Sequence, residues 1–347
     1  EILEYHADAA PQRRQVAPGS QLSFNFHVTY DGQPRNLTAQ PLSALSAVLA
    51  GPNSDFVTMW GANPYTSANM LTTGTLVAVD ADAGVYNYTF PVASALPPSA
   101  TGSYTVGMEG SVNAAQPRYA FMSPKQPFAV TDPTPVARRR VIDSAKCNAC
   151  HGDLTFHGGA RRGGEYCVMC HNPNNANNER ISRFESSTVV AESVDFRVMI
   201  HKIHAGVNLS QPYIVYGFPA PTVANPAGTP TNFGETRYPR ALNECEACHL
   251  PGTWALPAAQ GRAPSILQQL SCSEDPSADT DSYCTGSAWA ITDTIQIPPE
   301  TSVCTSCHDQ TYTMAHAQVN TAVSGVETCT TCHGPGKAFD VKTVHGM

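Results

Sequence analysis

The sequence predicts an all-β domain of Greek-key sandwich or split-barrel type, followed by a mostly irregular, sparsely helical domain. Three observations carry this. All twelve cysteines of the 347 residues fall after residue 137. Residues 1–137 read as short alternating segments divided by Gly, Pro and Asn turns, whereas 207–240 and 251–300 are Pro-, Gly-, Asn- and Ser-rich stretches too long for ordinary loops. Between the two parts, "TDPTPVARRR" (131–140) reads as a linker, giving domains 1–137 and 138–347.

In the first domain, "LSFNFHVTY" (22–30) places Leu22, Phe24, Phe26, Val28 and Tyr30 on one strand face and His27 on the polar face, as an ordinary surface histidine. Further strands are expected at 44–51, 75–80, 84–90, 103–109, 118–123 and 127–132. Tyr86, Tyr88 and Phe90 share a face and point to the core. Asp80 and Asp82 before Gly84 read as a β-turn in preference to a calcium loop. In the second domain "SVDFRVMIHKIHAG" (193–206) is the clearest helix, with Phe196, Met199, Ile200 and Ile203 on its apolar side and Gly206 as its stop.

Ten of the cysteines form five Cys-x-x-Cys pairs, each followed by a histidine: Cys147–Cys150–His151, Cys167–Cys170–His171, Cys245–Cys248–His249, Cys304–Cys307–His308 and Cys329–Cys332–His333. Structural zinc has no use for a histidine fixed after every pair, and a thioredoxin-like redox pair would not recur five times. Covalent c-type haem needs this spacing. On a helical turn, cysteines at i and i+3 face one way and reach both vinyl groups of a porphyrin, and the next residue sets an imidazole under the iron. Five covalently bound c-type haems are therefore expected, and the macrocycles supply the core that loop-rich sequence lacks.

What closes the sixth position of each iron decides between electron transfer and catalysis. Of the twelve histidines, five follow cysteine pairs, and His6 and His27 lie in the first domain. Five remain for five haems: His157, His201, His204, His316 and His345. The matching count predicts bis-histidine ligation throughout, with Met169, Met199 and Met314 as alternatives for one or two haems. His201 and His204 lie three residues apart on one helix, so they cannot bind opposite faces of one porphyrin and must serve two neighbouring haems. Five haems in about 200 residues must each lie within roughly 20 Å of their neighbours, iron to iron.

Cys272 and Cys284 remain, flanking a loop rich in Asp and Ser. Haem attachment requires an oxidising compartment, where such a pair closes a disulfide worth roughly 3 kcal/mol; two free thiols are the alternative. The net charge of −8 has no basic stripe, which excludes nucleic acid as a partner. No run of about 18 apolar residues spans a membrane. Glu1 follows no initiator Met or apolar leader, so the chain reads as mature or as part of something larger. Haem propionates add further negative charge. Reduction is therefore expected to raise proton affinity, with Arg138, Arg139, Arg140, Arg161 and Arg162 as candidate propionate partners.

"CNACHGDLTFHGGARR", "YCVMCHNPN", "MIHKIHAG", "RYPRALNECEACHLPGTW" and "VKTVHGM" resemble the OmcA/MtrC-type outer-surface cytochromes of metal-respiring bacteria. The resemblance covers most of 138–347 and is architectural over 1–137. It implies a split β-barrel and a pentahaem domain, with the five spare histidines as distal ligands. It also implies an extracellular or outer-surface location, and electron relay to metal oxides, flavins or other redox proteins. Those relatives carry two such modules, and this sequence carries one. It has no N-terminal lipid-anchor cysteine and no disulfide in the β-domain. A multihaem reductase with one open iron and a filament built from copies of the chain are the alternative functions.

Two measurements follow. The intact mass should exceed the polypeptide by five haems and should survive acid–acetone extraction, since thioethers are covalent; four or fewer would leave a motif unused. Thiol alkylation without reductant should label neither Cys272 nor Cys284, and labelling of both would remove the bridge.

Overall fold

Leu22, Phe24 and Phe26 alternate with Ser23, Asn25 and His27, and the resulting strand buries its apolar side completely. This alternation recurs along the β-rich part of the computed structural model, which describes residues 2–7, 15–115, 118–177, 188–217, 229–272 and 289–347. The chain divides into two compact units, Glu1–Cys170 with Cys248–Leu250, and His171–Ala247 with Pro251–Met347.

The first unit contains β1 (Ile2–Ala7), β2 (Leu22–His27), β3 (Thr29–Tyr30), β4 (Gln33–Pro34), β5 (Ala44–Ala50), β6 (Thr66–Asn69) and β7 (Thr75–Asp80). After these come β8 (Val85–Thr89), β9 (Ser103–Ser111), β10 (Lys125–Ala129), α1 (Ser144–His151), β11 (Thr155–Phe156), β12 (Arg161–Arg162) and α2 (Gly164–Cys170). Two four-stranded antiparallel sheets result, ordered β1-β2-β8-β7 and β10-β9-β5-β6. Phe24, Tyr88 and Phe90 meet edge-on or tilted, at centroid distances of 5.4 to 6.2 Å. Tyr104, Phe128, Leu45 and Val106 complete the core. Each such side chain contributes about 2–3 kcal/mol by leaving water.

The expected strand at 22–30 ends at His27, so Val28 is only half-buried and Tyr30 is exposed under the Arg35 guanidinium. The turn after β7 is closed by Asp80, whose carboxylate accepts from the Ala83 amide at 2.9 Å. Gly84 takes φ +69 there, and a Cβ would lie 2.5 Å from the Val28 carbonyl. The expected strand at 118–123 does not form. Only Ala120 bridges to Ser111, and Pro124, which cannot donate to a ladder, ends the stretch.

The second unit contains β13 (Thr188–Ala191), α3 (Phe196–Ala205), β14 (Ile214–Tyr216), β15 (Pro230–Asn232), β16 (Ser265–Cys272) and β17 (Trp289–Ile297). Four short helices close it: α4 (Pro299–Cys304), α5 (Thr311–Val319), α6 (Thr330–His333) and α7 (Val341–Val344). The helix expected at 193–206 forms as α3, with Asp195 as N-cap and Gly206 as stop. The reading of 251–300 as irregular is corrected. β16 pairs with both β13 and β17 in an antiparallel sheet that buries Ile266 and Leu270 with Ala176 and Ala191. Among the described residues, no helix is long and apolar enough to cross a membrane. Cys284 lies outside the described residues, and with it the expected bridge to Cys272.

Gly107 on β9 faces α2, and a Cβ there would stand 2.7 Å from Tyr166 and 2.8 Å from the Met169 sulfur. Gly107→Ala should therefore destabilise the protein by about 1–3 kcal/mol, read as a lowered midpoint in chemical denaturation.

Candidate haem attachment and ligand sites

Each Cys-x-x-Cys-His unit contains or follows a helical turn. Motif 1 lies within α1, whose N-terminus is capped by Asp143 and whose end is set by Gly152 at φ +68. Motif 2 lies on α2, and motif 3 begins in a 3-10 turn at Cys245–Ala247. In motifs 4 and 5 the histidine amide donates to the carbonyl of the first cysteine, His308 to Cys304 at 2.9 Å and His333 to Cys329 at 2.8 Å. This turn carries the sulfurs at i and i+3 on one side of the helix.

The histidines are aimed by their backbones. The Nδ1 atoms of His201, His204 and His345 meet the carbonyls four residues earlier, at 2.6, 2.8 and 2.8 Å. Those of His171 and His333 meet the Val194 and Phe339 carbonyls, both at 3.0 Å. A carbonyl only accepts, so Nδ1 carries the proton and Nε2 keeps its lone pair, the form that binds a metal. Burial pushes the His201 imidazole below its ordinary value, which favours the same neutral form. Two ring pairs stand out. His308 and His345 have centroids 6.1 Å apart, and His316 and His333 lie 6.2 Å apart. Imidazoles bound to one metal from opposite sides, with each nitrogen about 2 Å away, hold their centroids about 6 Å apart. His204 stands 5.4 Å from Tyr238, ring to ring and perpendicular. His151 and His157 are exposed, His157 at φ +54 in the turn between β11 and β12. His249 is bridged by its backbone to Ile142.

The sulfurs lie next to one another across motifs. Within the first unit the Cys147 thiol hydrogen-bonds Cys248, which, with burial, pushes it far up. The strap beneath them is Leu250 N to Val141 O at 2.9 Å, Asp143 N to Cys248 O at 3.0 Å and Lys146 Nζ to His249 O at 2.7 Å. Within the second unit Cys307 feels the charge of Cys245, and Cys304 that of Cys329. Burial pushes the Cys167, Cys304 and Cys307 thiols up to about 11 and Cys170 to about 12.

Several supporting residues carried no signal in the sequence. The α2 helix buries Tyr166, Met169 and Cys170 against Val48, Ala50 and Phe56, so Met169 is spent in packing. Glu109 on β9 accepts from Arg161 through both oxygens and from the Tyr166 hydroxyl at 3.0 Å. The Asp195 carboxylate takes the Arg197 amide and guanidinium and the Ser265 hydroxyl, fixing the start of α3. The arginines proposed for propionates are otherwise engaged. Arg138 and Arg139 pair with the buried Asp55, Arg140 with Asp143 and Glu165, Arg161 with Glu109, and Arg162 with Asp153.

The residues fit a porphyrin on a separate ground. Beyond Leu270 no hydrophobic side chain among the described residues is buried, while Tyr312, Val319, Val323, Phe339 and Val344 are more than half exposed. A stretch carrying two motifs and no side-chain core needs large apolar bodies to pack against.

The family model for outer membrane cytochrome MtrC/MtrF-like proteins, domains II/IV, matches residues 139–346. Among solved structures, the chain is similar to the outer membrane decahaem cytochrome OmcA at 17% identity and a TM-score of 0.53, over 100% of this chain and 48% of that one. It is also similar to MtrC from Shewanella baltica OS185 at 15% identity and a TM-score of 0.47, over 100% and 45%. The chain thus spans about half the length of these structures, and at such identity the OmcA likeness speaks to fold alone. No match was found among curated proteins. The matched stretch is more than half of the chain, and it brings with it an extracellular or outer-surface location. The chain belongs to the MtrC/MtrF-like family of outer membrane cytochromes.

Proposed function

We propose that this chain is an extracellular electron-transfer cytochrome holding five bis-histidine c-type haems, attached through the ten cysteines and bound proximally by His151, His171, His249, His308 and His333. The observation that carries the reading is the pair of imidazole couples, His308 with His345 and His316 with His333, each at the separation of two axial ligands. On this reading His345 closes the haem of motif 4 and His316 that of motif 5. His157, His201 and His204 serve the remaining three, and the expected Cys272–Cys284 bridge closes the loop after β16. The β-part belongs to the same reading as a Greek-key or split-barrel module, and the linker at 131–140 as the start of the pentahaem domain.

Each haem, when bound, supplies an iron that cycles between ferric and ferrous states at fixed coordination. The chain's own part is to hold and order them. Cysteine proximity supports neighbouring haems within each unit, since Cys147 meets Cys248 in the first, and Cys307 lies near Cys245 and Cys304 near Cys329 in the second. Motif 2 is seated on the β-sheet through α2, whose start is joined to that of α1 by Ser144, which donates to Glu165 and accepts from the Gly164 amide. Electrons pass along this array to metal oxides, flavins or other redox proteins. A reductase would need an iron without a sixth ligand, and five spare histidines stand here for five irons.

Replacing His316 or His345 singly with Ala should turn one haem of five high-spin in the oxidised visible spectrum, and replacing both should turn two. The same additivity is expected of His201 and His204. A wholly low-spin spectrum in either His316→Ala or His345→Ala, with no substitute ligand, would remove that residue from the ligand set. A high-spin haem in the wild type would favour the reductase.

A further inference from the structure

Motif 3 has little helix of its own. Its 3-10 turn covers only Cys245–Ala247. After His249 the chain turns away through Pro251, which has no amide hydrogen, and Gly252 at φ +74. Carbonyls at the end of a helical turn find no partner within it. That of His249 is met by a side chain from another motif: Lys146 Nζ, in the first turn of α1, donates to it at 2.7 Å.

Backbone contacts hold the two segments in register. The Leu250 amide donates to the Val141 carbonyl at 2.9 Å, the Asp143 amide donates to the Cys248 carbonyl at 3.0 Å, and Ile142 bridges His249 between them. Asp143 is also the N-cap of α1, and its carbonyl accepts from the Lys146 amide at 3.0 Å. The residue that holds Cys248 therefore also anchors the root of the lysine. Lys146 is half-buried, and Cys248–Leu250 lies with it in the first compact unit. At motif 1 the histidine carbonyl accepts from a neutral donor, the Asp153 amide, at 2.8 Å. At motif 3 the donor is a cation.

We propose that Lys146 is a positioning residue for His249 and raises the reduction potential of the haem at motif 3, an inference that rests on the pentahaem reading. Its bond fixes the backbone that carries His249, and with it the orientation of the imidazole at the iron. Its charge acts on the electron equilibrium. When one electron, from an electrode or an adjacent haem, turns that ferric iron ferrous, no bond forms or breaks and the site loses one positive charge. A cation held at the proximal ligand favours the less positive state, so it stabilises the ferrous form. A neutral donor in its place would position His249 without this effect.

Three replacements separate the bond from the charge. Arginine keeps both, glutamine keeps a donor without charge, and methionine removes both. Each holoprotein is titrated in a transparent electrochemical cell, with EPR spectra of the low-spin ferric haems recorded alongside. Lys146→Met should lower the potential of one haem most, by about three- to tenfold in its equilibrium constant for reduction, and should change the g-values of one low-spin signal. Lys146→Gln should lower the same potential by a similar factor. Lys146→Arg should keep both potential and g-values. In folded Lys146→Met carrying five haems, unchanged potentials overturn the proposal. An equal shift of all five haems, which a general surface charge would produce, also overturns it, and unchanged g-values overturn the positioning role. If that variant loses haem or does not fold, unchanged potentials in Lys146→Gln overturn it. Fewer than five electrons by coulometry in the wild type would instead count against the pentahaem reading.

Discussion

A backbone carbonyl has lone pairs and no proton to give, so an imidazole that meets one through Nδ1 must donate to it. His171, His201, His204, His333 and His345 all meet carbonyls this way, which fixes their tautomer and leaves Nε2 to face outward from the backbone. The arrangement depends in turn on helices too short to persist alone. Asp143, Asp195 and Asp340 cap α1, α3 and α7, each through an amide two residues on, at 3.0, 3.3 and 2.9 Å. Ligand aim thus descends from side-chain capping to helix, from helix to carbonyl, and from carbonyl to ring.

Packing is distributed unevenly, and function follows the unevenness. The first unit has an aromatic core from Phe24 to Phe128, and it extends to α2 through Phe56, Tyr166 and Met169. Motif 2 is therefore fixed by ordinary hydrophobic burial, reinforced by the Glu109–Arg161–Tyr166 bonds. Along motifs 4 and 5 no hydrophobic side chain among the described residues is buried, and polar contacts hold them: Asp309 accepting from Ser210 and Gln211, Asn243 donating to the His345 carbonyl, and Glu327 on Thr301. What the proposed haems add to the first they must largely provide for the second.

The attachment motifs, α3 and most of the β-strands were legible in the sequence because each rests on local spacing, whereas the five spare histidines emerged only from a count. Ser265–Cys272 and Trp289–Ile297 were hidden by their Pro- and Gly-rich surroundings, although Ile291 and Ile295 sit near a period of two. Their pairing is long-range and composition does not record it. The arginines misled for a related reason. Clustered cations suggested anionic propionates, but Asp55, Glu109 and Asp153 are distant or unremarkable in sequence and are reached only through the fold.

The two kinds of support imply an order of assembly. A unit with its own aromatic core can reach its fold from side-chain burial, so α2 can present Cys167 and Cys170 on a formed surface. The segment from Pro299 to Met347 buries no hydrophobic side chain, and its helices run from four to nine residues. Such a segment cannot offset its conformational entropy from within. On the proposed reading its structure comes with its haems, as structural-metal domains fold on binding their ion. On the proposed reading, His316 comes to meet His333, and His345 to meet His308, as attachment at Cys304, Cys307, Cys329 and Cys332 draws the chain together. On that reading, ligation there is the cause of the fold as much as its product.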